Sequence, residues 1–371
     1  MRKIMVIVMA LLMVSGAAFA QDATPPVFCG DLSEADCAIL TQSQTAMMSL
    51  SSAAFDFQAD INLTNIPDAP GPMSITLTGN GAYSADAAAL SAFAGNMEAD
   101  PVAMMTNIVD VLRGFDFDLS LTLSLPPEVA AEMGPDTPEN ITLQLRLADG
   151  LGYINFDTLA PLMGEDASQM GMAGWLGLDI ASLIEALVEQ NPEIFENMDI
   201  SGFEPGTYTQ FSSPEFVEQF ASISRTDDGS SSTATFETTV DFAAMMNSPE
   251  FQQLMQEQME AQDLSAEELE EAQAMSAAML SNSTISSTTT IDTTTGYIVN
   301  VTFNMAFDFS AMAESIPDEV DVDELPSFSI NFNLNNSQFN EVPEITEPEG
   351  ATVFPYEQLL MMFSGSSMPS S

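Results

Sequence analysis

Any chemistry in this chain has to run on carboxylates, hydroxyls and thioethers. The 371 residues contain no histidine, and the only lysine is Lys3. Ser-His-Asp, Cys-His and Schiff-base mechanisms therefore lack a partner group. Paired carboxylates could serve a glycosidase or an aspartic protease. However, Asp292-Thr293-Thr294-Thr295-Gly296 is not an Asp-Thr-Gly triplet, and it falls on an expected hairpin turn. With 55 acidic residues, close carboxylate pairs arise by chance. No catalytic residue is assigned, and the chain reads as a non-enzyme. The acidic stretch Asp318-Glu319-Val320-Asp321-Val322-Asp323-Glu324 offers oxygen ligands for Ca²⁺, but it lacks the glycine and spacing of an EF-hand; a solvated loop is the plainer reading. Met170-Gly171-Met172 has the softness for Cu(I) but is one short pair in a Met-rich chain. No metal site and no cofactor is assigned.

The two cysteines, Cys29 and Cys37, have a compartment to match. Arg2 and Lys3 precede an apolar run from Ile4 to Val14, and Ala18-Phe19-Ala20 forms a small-residue cleavage signal before Gln21. Residues 1–20 read as a signal peptide, which implies export to a periplasmic or extracellular space. The run is too short for a permanent anchor, and Pro26-Val27-Phe28 does not suit Cys29 as a lipidation site. In an exported chain the isolated cysteine pair reads as a disulfide. A metal pair is the alternative, but there is no further Cys or His to complete a zinc site.

Cations are the scarce group. Beyond residue 20 only Arg113, Arg146 and Arg225 are basic, against 55 carboxylates, for a net charge of −52. Nothing is left to neutralise phosphates, which argues against nucleic acid, and nothing favours anionic lipid surfaces electrostatically. The balance suits simple colloidal solubility; it also suits a saline or acidic habitat, where self-repulsion is screened.

The elements are read from periodicity. Tyr297, Val299, Val301, Phe303, Met305, Phe307 and Phe309 alternate with mostly polar residues, the signature of a strand with one dry and one wet face. Similar alternation runs through Phe55–Leu63, Met73–Tyr83, Phe115–Leu125, Ile141–Leu147, Tyr153–Asp157, Ile223, Thr233–Phe242, 283–293 and Phe328–Leu334. Turns are expected at 67–72, Asp149-Gly150, Asp227-Asp228-Gly229 and 293–296. Helices are expected over 34–50, opened by the capping box Ser33 to Asp36, over 86–113 with a break near Asp100-Pro101, from about Ile180 to Gln190, and over 249–280. Ser213-Pro214-Glu215-Phe216 and Ser248-Pro249-Glu250-Phe251 repeat one helix start. The fold class is α+β: a single large curved antiparallel sheet of about eleven strands, an unclosed half-barrel, with helices covering the concave face. Residues 21–32 form a leader carrying the disulfide, 33–363 a single domain, and 364–371 a disordered Ser-rich tail.

Asp149-Gly150-Leu151-Gly152-Tyr153-Ile154-Asn155 followed by Trp175-Leu176-Gly177-Leu178-Asp179 resembles the turn, Tyr-strand and Trp-strand of the LolA/LolB-like superfamily, which includes the LppX/LprG-type lipoproteins. Phe339-Asn340-Glu341-Val342-Pro343-Glu344-Ile345 with Pro348 is similar to their closing strand. The resemblance implies an open half-barrel that holds lipids or acyl chains in its cavity; some relatives sense envelope stress.

Of the 26 methionines, 22 lie beyond residue 20, many on expected helices. One by one they read as core filler. Together, flexible thioethers facing a wide apolar sheet suit an adaptable greasy cavity. The expected site is the dry face with its cover: Phe303, Met305, Phe307, Leu121, Leu123, Trp175, Met255 and Met259. The expected function is an extracytoplasmic carrier or sensor for a hydrophobic ligand, with no integral membrane segment in the mature chain. The alternative is a secreted structural or protein-interaction module with a filled core.

Overall fold

Alternating strands with one dry face pair edge to edge until that face can be covered, and here they build a single open sheet. The computed structural model describes residues 27–64, 71–86, 101–134, 137–159, 162, 173–190, 219–241, 244–245, 248–249, 283–308 and 327–356. Its strands are β1 Ser52–Thr64, β2 Met73–Ala85, β3 Phe115–Ser124, β4 Asn140–Ala148, β5 Leu151–Asn155, β6 Trp175–Asp179, β7 Ala221–Arg225, β8 Thr233–Val240, β9 Thr284–Asp292, β10 Ile298–Asp308, β11 Ser327–Ser337 and β12 Thr352–Phe354. They form one curved, unclosed 12-stranded sheet in the order β12-β6-β5-β4-β3-β2-β1-β11-β10-β9-β8-β7. Every pairing is antiparallel except β12 on β6. The expected half-barrel fold class is the observed one, with one more strand than the eleven expected.

The register aligns the dry rows. Ile223, Thr238, Ser287, Phe303, Phe332, Ala59, Leu77, Leu123 and Ile141 lie directly opposite one another across nine consecutive strands. Directly opposed residues in antiparallel strands share a face, so this row and its neighbours make one continuous and mainly apolar surface. The other face is polar, with carboxylates such as Asp56, Asp60 and Asp118 set among Asn, Ser and Thr. Asn300 Nδ2 donates to Asn333 Oδ1 at 2.7 Å and Asn335 Oδ1 at 2.8 Å, and Asn335 Nδ2 donates to Asp56 at 3.1 Å. Thr76 donates to Asp60 at 2.8 Å, and Ser124 to Asn140 at 2.7 Å. Hydrogen-bonded ladders fill the place that lysine–carboxylate pairs usually take.

Four α-helices are described: α1 Glu34–Met48, α2 Pro101–Gly114, α3 Pro127–Met133 and α4 Ile180–Gln190. Ser33 caps α1, its hydroxyl accepting from the Asp36 N–H at 3.2 Å. The Cys29–Cys37 disulfide is formed, with Cα atoms 5.4 Å apart, and ties the leader to the first turn of α1. That short cross-link contributes about 2–3 kcal/mol by loop entropy. Ile39 and Leu40 of α1, with Leu32, pack on Ala234, Phe236 and Ile291, the tightest part of the core. At the other flank α4 places Ile180 above Gly152 and packs against α2.

Two departures from the sequence reading have local causes. A register shift between Ile298 and Asn300 is a bulge; it turns Ile298 toward the α1 cluster and leaves Tyr297 outside the strand, its ring stacked 4.5 Å from Phe339. Residues 339–345 are not a closing strand: two positive-φ residues, Gln338 and Asn340, turn the chain out of β11, and it crosses the polar face of β2–β4 as an irregular strap. The sheet is closed off instead by β12. The strap is pinned where Asn340 N donates to Ser52 O at 2.8 Å and where Arg146 Nη1 donates to Thr346 O at 3.0 Å. The Asp149-Gly150 turn is as expected: both residues have positive φ, and Ala148 faces Leu151, a two-residue type I′ hairpin. The signal segment, most of the 249–280 region, Met170-Gly171-Met172, the 318–324 loop and the Ser-rich tail lie outside the described residues.

All three arginines tie elements together. Arg113 of α2 donates to both carboxylate oxygens of Glu185 on α4, at 2.8 and 2.7 Å. Arg146 on β4 pairs with Asp118 on β3. Arg225 on β7 donates to Asp36 of α1 at 2.8 Å and, through two nitrogens, to Asp227 at 3.0 and 2.8 Å. Hydrogen bonds from Arg225 and from the Thr235 N–H hold Asp227 well below the ordinary carboxylate range. Asp36 is lowered as well, by the Ser33 hydroxyl first and Arg225 second. A depressed folded pKa means stability that is present above the ordinary value of 3.8 and is lost as pH falls from there through the lower folded value. Arg225→Met should lower the melting temperature by a few degrees at neutral pH, and its deficit relative to the parent should shrink as pH falls from about 5 to about 2. A deficit that is constant with pH in thermal scans would mean that the Arg225 pair contributes nothing through these carboxylates.

Candidate functional site

The dry face is the candidate site, and its make-up follows from the strand sequences. Phe303, Met305 and Phe307 project from β10 opposite Phe332, Ile330 and Phe328 of β11. Leu121 and Leu123 project from β3 opposite Gly79 and Leu77 of β2. These five expected site residues therefore share one surface. Trp175 does not join them. It pairs with Asn155, which faces away from Ile154 and Leu145, so the indole lies on the polar face with the Arg146 guanidinium 5.6 Å from its ring centre. Its role is to pack beneath a cation near the strap. Met255 and Met259 lie outside the described residues.

Aromatic rings line the surface in two groups. Tyr83, Phe115, Phe117 and Phe55 form a chain with centroids 6.2 Å apart at each step, while Phe57 lies 5.8 Å from Phe332 and Phe307 lies 6.1 Å from Phe328. Offset ring contacts of this kind add about 0.5–1.5 kcal/mol each beyond area burial. Two glycines make the hollow possible. A Cβ on Gly79 would run into the Phe57 ring and come within 2.9 Å of Leu121, and a Cβ on Gly81 would meet Phe55 at 2.8 Å. The rings of β1 lie down over β2 because β2 has no side chains there.

Cover is strong beneath α1 and thinner away from it. Phe236 and Ile291 beneath α1 are each 1% exposed. On β10, β11 and β1, by contrast, Phe303, Met305, Phe332, Leu334, Phe57 and Ile61 are all only half-buried. Burial raises the Tyr83 phenol, which stays a neutral donor on this face. The only charge on the dry rows of the described strands is Arg225, closed off by Asp36 and Asp227.

Two other hollows belong to the surface. One of about 690 Å³ runs along α1 beside Cys29, Cys37, Ala38 and Thr41. The other, about 420 Å³, lies under the strap between Asp118, Arg146 and Val342–Thr346. Among the described residues no group of three or more Cys, Asp or Glu gathers as metal ligands, and no helix is long and apolar enough to cross a membrane. Asp292, at the head of Asp292-Thr293-Thr294-Thr295-Gly296, caps its hairpin turn by accepting from the N–H groups of Thr294 at 2.7 Å and Thr295 at 3.1 Å. No protein-family model matches the chain, and no curated protein matches it.

The sequence reading overlooked the hydroxyls of this face. Thr238, Ser287 and Thr289 sit on its dry rows beside Phe303 and Val301, and alternation alone would have placed them there. Gly79→Val should destabilise the fold by about 1–3 kcal/mol in denaturant titrations, because Phe57 must leave its resting place. A Gly79→Val protein as stable as the parent would show that the ring is not seated on β2.

Proposed function

We propose that the protein is an exported carrier or sensor that holds a hydrophobic, lipid-like ligand against the apolar face of its half-barrel, without catalysing a reaction on it. The observation that carries this reading is the half-buried state of Phe303, Phe332, Phe57 and their neighbours beside a sheet end that α1 packs tightly. A face of that width left half-covered costs about 25 cal/mol for each Å² of apolar surface in water, and a greasy ligand removes that cost. The resemblance of the Tyr153 and Trp175 strands to the LolA/LolB-like superfamily supports the same reading, as do the disulfide and the signal-like N-terminus, which suit an oxidising compartment. Lipid binding here asks for no catalytic group, in keeping with a chain that has no histidine.

Protein purified from an exporting host should release lipid on solvent extraction, identified by mass spectrometry, and the delipidated protein should take up an uncharged fluorescent apolar probe with micromolar affinity. A protein that is empty on purification and ignores the probe would instead be a packed structural or interaction module.

A further inference from the structure

The charge arithmetic and the dry face together restrict which lipid the site can take. Beyond residue 3 the chain has three cations, and each is already closed by a carboxylate: Arg113 by Glu185, Arg146 by Asp118, Arg225 by Asp36 and Asp227. An anionic headgroup entering the site would lose water and gain no counter-charge. It would also approach a molecule already strongly negative. What the face does offer lies at its β8–β9 side. Ser287 is opposite Phe303 and Thr238, and Thr289 is opposite Val301 and Phe236. All three are half-buried, and within the described residues their hydroxyls make no hydrogen bond. On the polar face the same strands pair their hydroxyls, Thr235 with Thr290 at 3.3 Å and Ser222 with Thr239 at 2.7 Å.

Resting on the reading of the dry face as a lipid site, we infer that the ligand is an uncharged lipid with a hydrogen-bonding head, an ester or an alcohol. Its head sits against Ser287, Thr289 and Thr238, and its chain runs along Phe303, Phe332 and Leu77. Hydroxyls are neutral and both donate and accept, so they satisfy a buried ester or alcohol without needing a charge. A hydrocarbon would leave them unpaired, and a carboxylate or phosphate would arrive unneutralised.

The test uses three ligands of one chain length on the delipidated full-length protein: methyl oleate, oleate and the matching straight-chain alkene, each displacing Nile red at neutral pH. Methyl oleate should displace the dye at a concentration at least tenfold below that of oleate and severalfold below that of the alkene. In the triple variant Ser287→Ala, Thr289→Val, Thr238→Val, the ratio between the methyl oleate and alkene displacement concentrations should fall to about one. Oleate equal to or better than its methyl ester overturns the charge argument, and an unchanged ester advantage in the triple variant overturns the assignment of the hydroxyls. Both of those results leave the carrier reading standing, whereas a parent protein that does not bind Nile red removes the lipid site itself.

Discussion

Alternate residues on nine consecutive strands are in register and mostly apolar, and keeping that one surface from water is the constraint on which the rest of the molecule depends. Antiparallel pairing without closure makes the surface wide, and the curvature of the sheet turns it into a hollow that flanking helices can reach. At one end α1 answers the constraint fully, sealing Ala234, Phe236 and Ile291. Across the middle the answer is partial. Glycines at 79 and 81 let aromatic rings lie flat instead of filling the space above them. A sheet meant only to be packed would gain from bulk at those positions.

The shortage of cations shapes everything outside that surface. With three arginines available, each one joins separate elements: α2 with α4, β4 with β3 and the strap, β7 with α1. Beyond residue 20 no further cation remains for other surface pairs. The polar face relies on Asn, Ser and Thr ladders, whose hydrogen bonds are far less sensitive to salt than ion pairs are. The same economy leaves the apolar hollow without a free positive charge, so the electrostatics that hold the fold also limit its ligands.

Local rules made much of this legible and tertiary ones did not. Period-two alternation reveals the strands, and the Asp149-Gly150 pair reveals a hairpin through the positive φ that both residues must adopt. Ser33 and the Cys29–Cys37 pair are readable for similar reasons. Strand order is not: β11 lies between β1 and β10, so β1 pairs with a strand hundreds of residues away, and no local signal encodes that. The bulge after Ile298 hides within an unbroken alternation. Residues 339–345 are rich enough in apolar side chains to pass for a strand, yet Pro343 and the turn at Asn340 make a strap. Trp175 lies on the polar face, away from the other expected site residues. Its partners at alternate positions, Gly177 and Asp179, are not apolar, and that pattern already sets it on the opposite face from Leu176 and Leu178.

The face-by-face assignment gives the account its most direct test. The native Trp175 reports on the polar face, and a Phe303→Trp, Trp175→Phe protein reports on the dry one. Brominated acyl chains quench indole only on near contact, so titrating both delipidated proteins with a brominated neutral ester separates the two surfaces. Strong quenching of the tryptophan at 303, with Trp175 unaffected in the parent, is the predicted result. Quenching of Trp175 alone, or of neither, would contradict the placement of a lipid on the apolar face of the half-barrel.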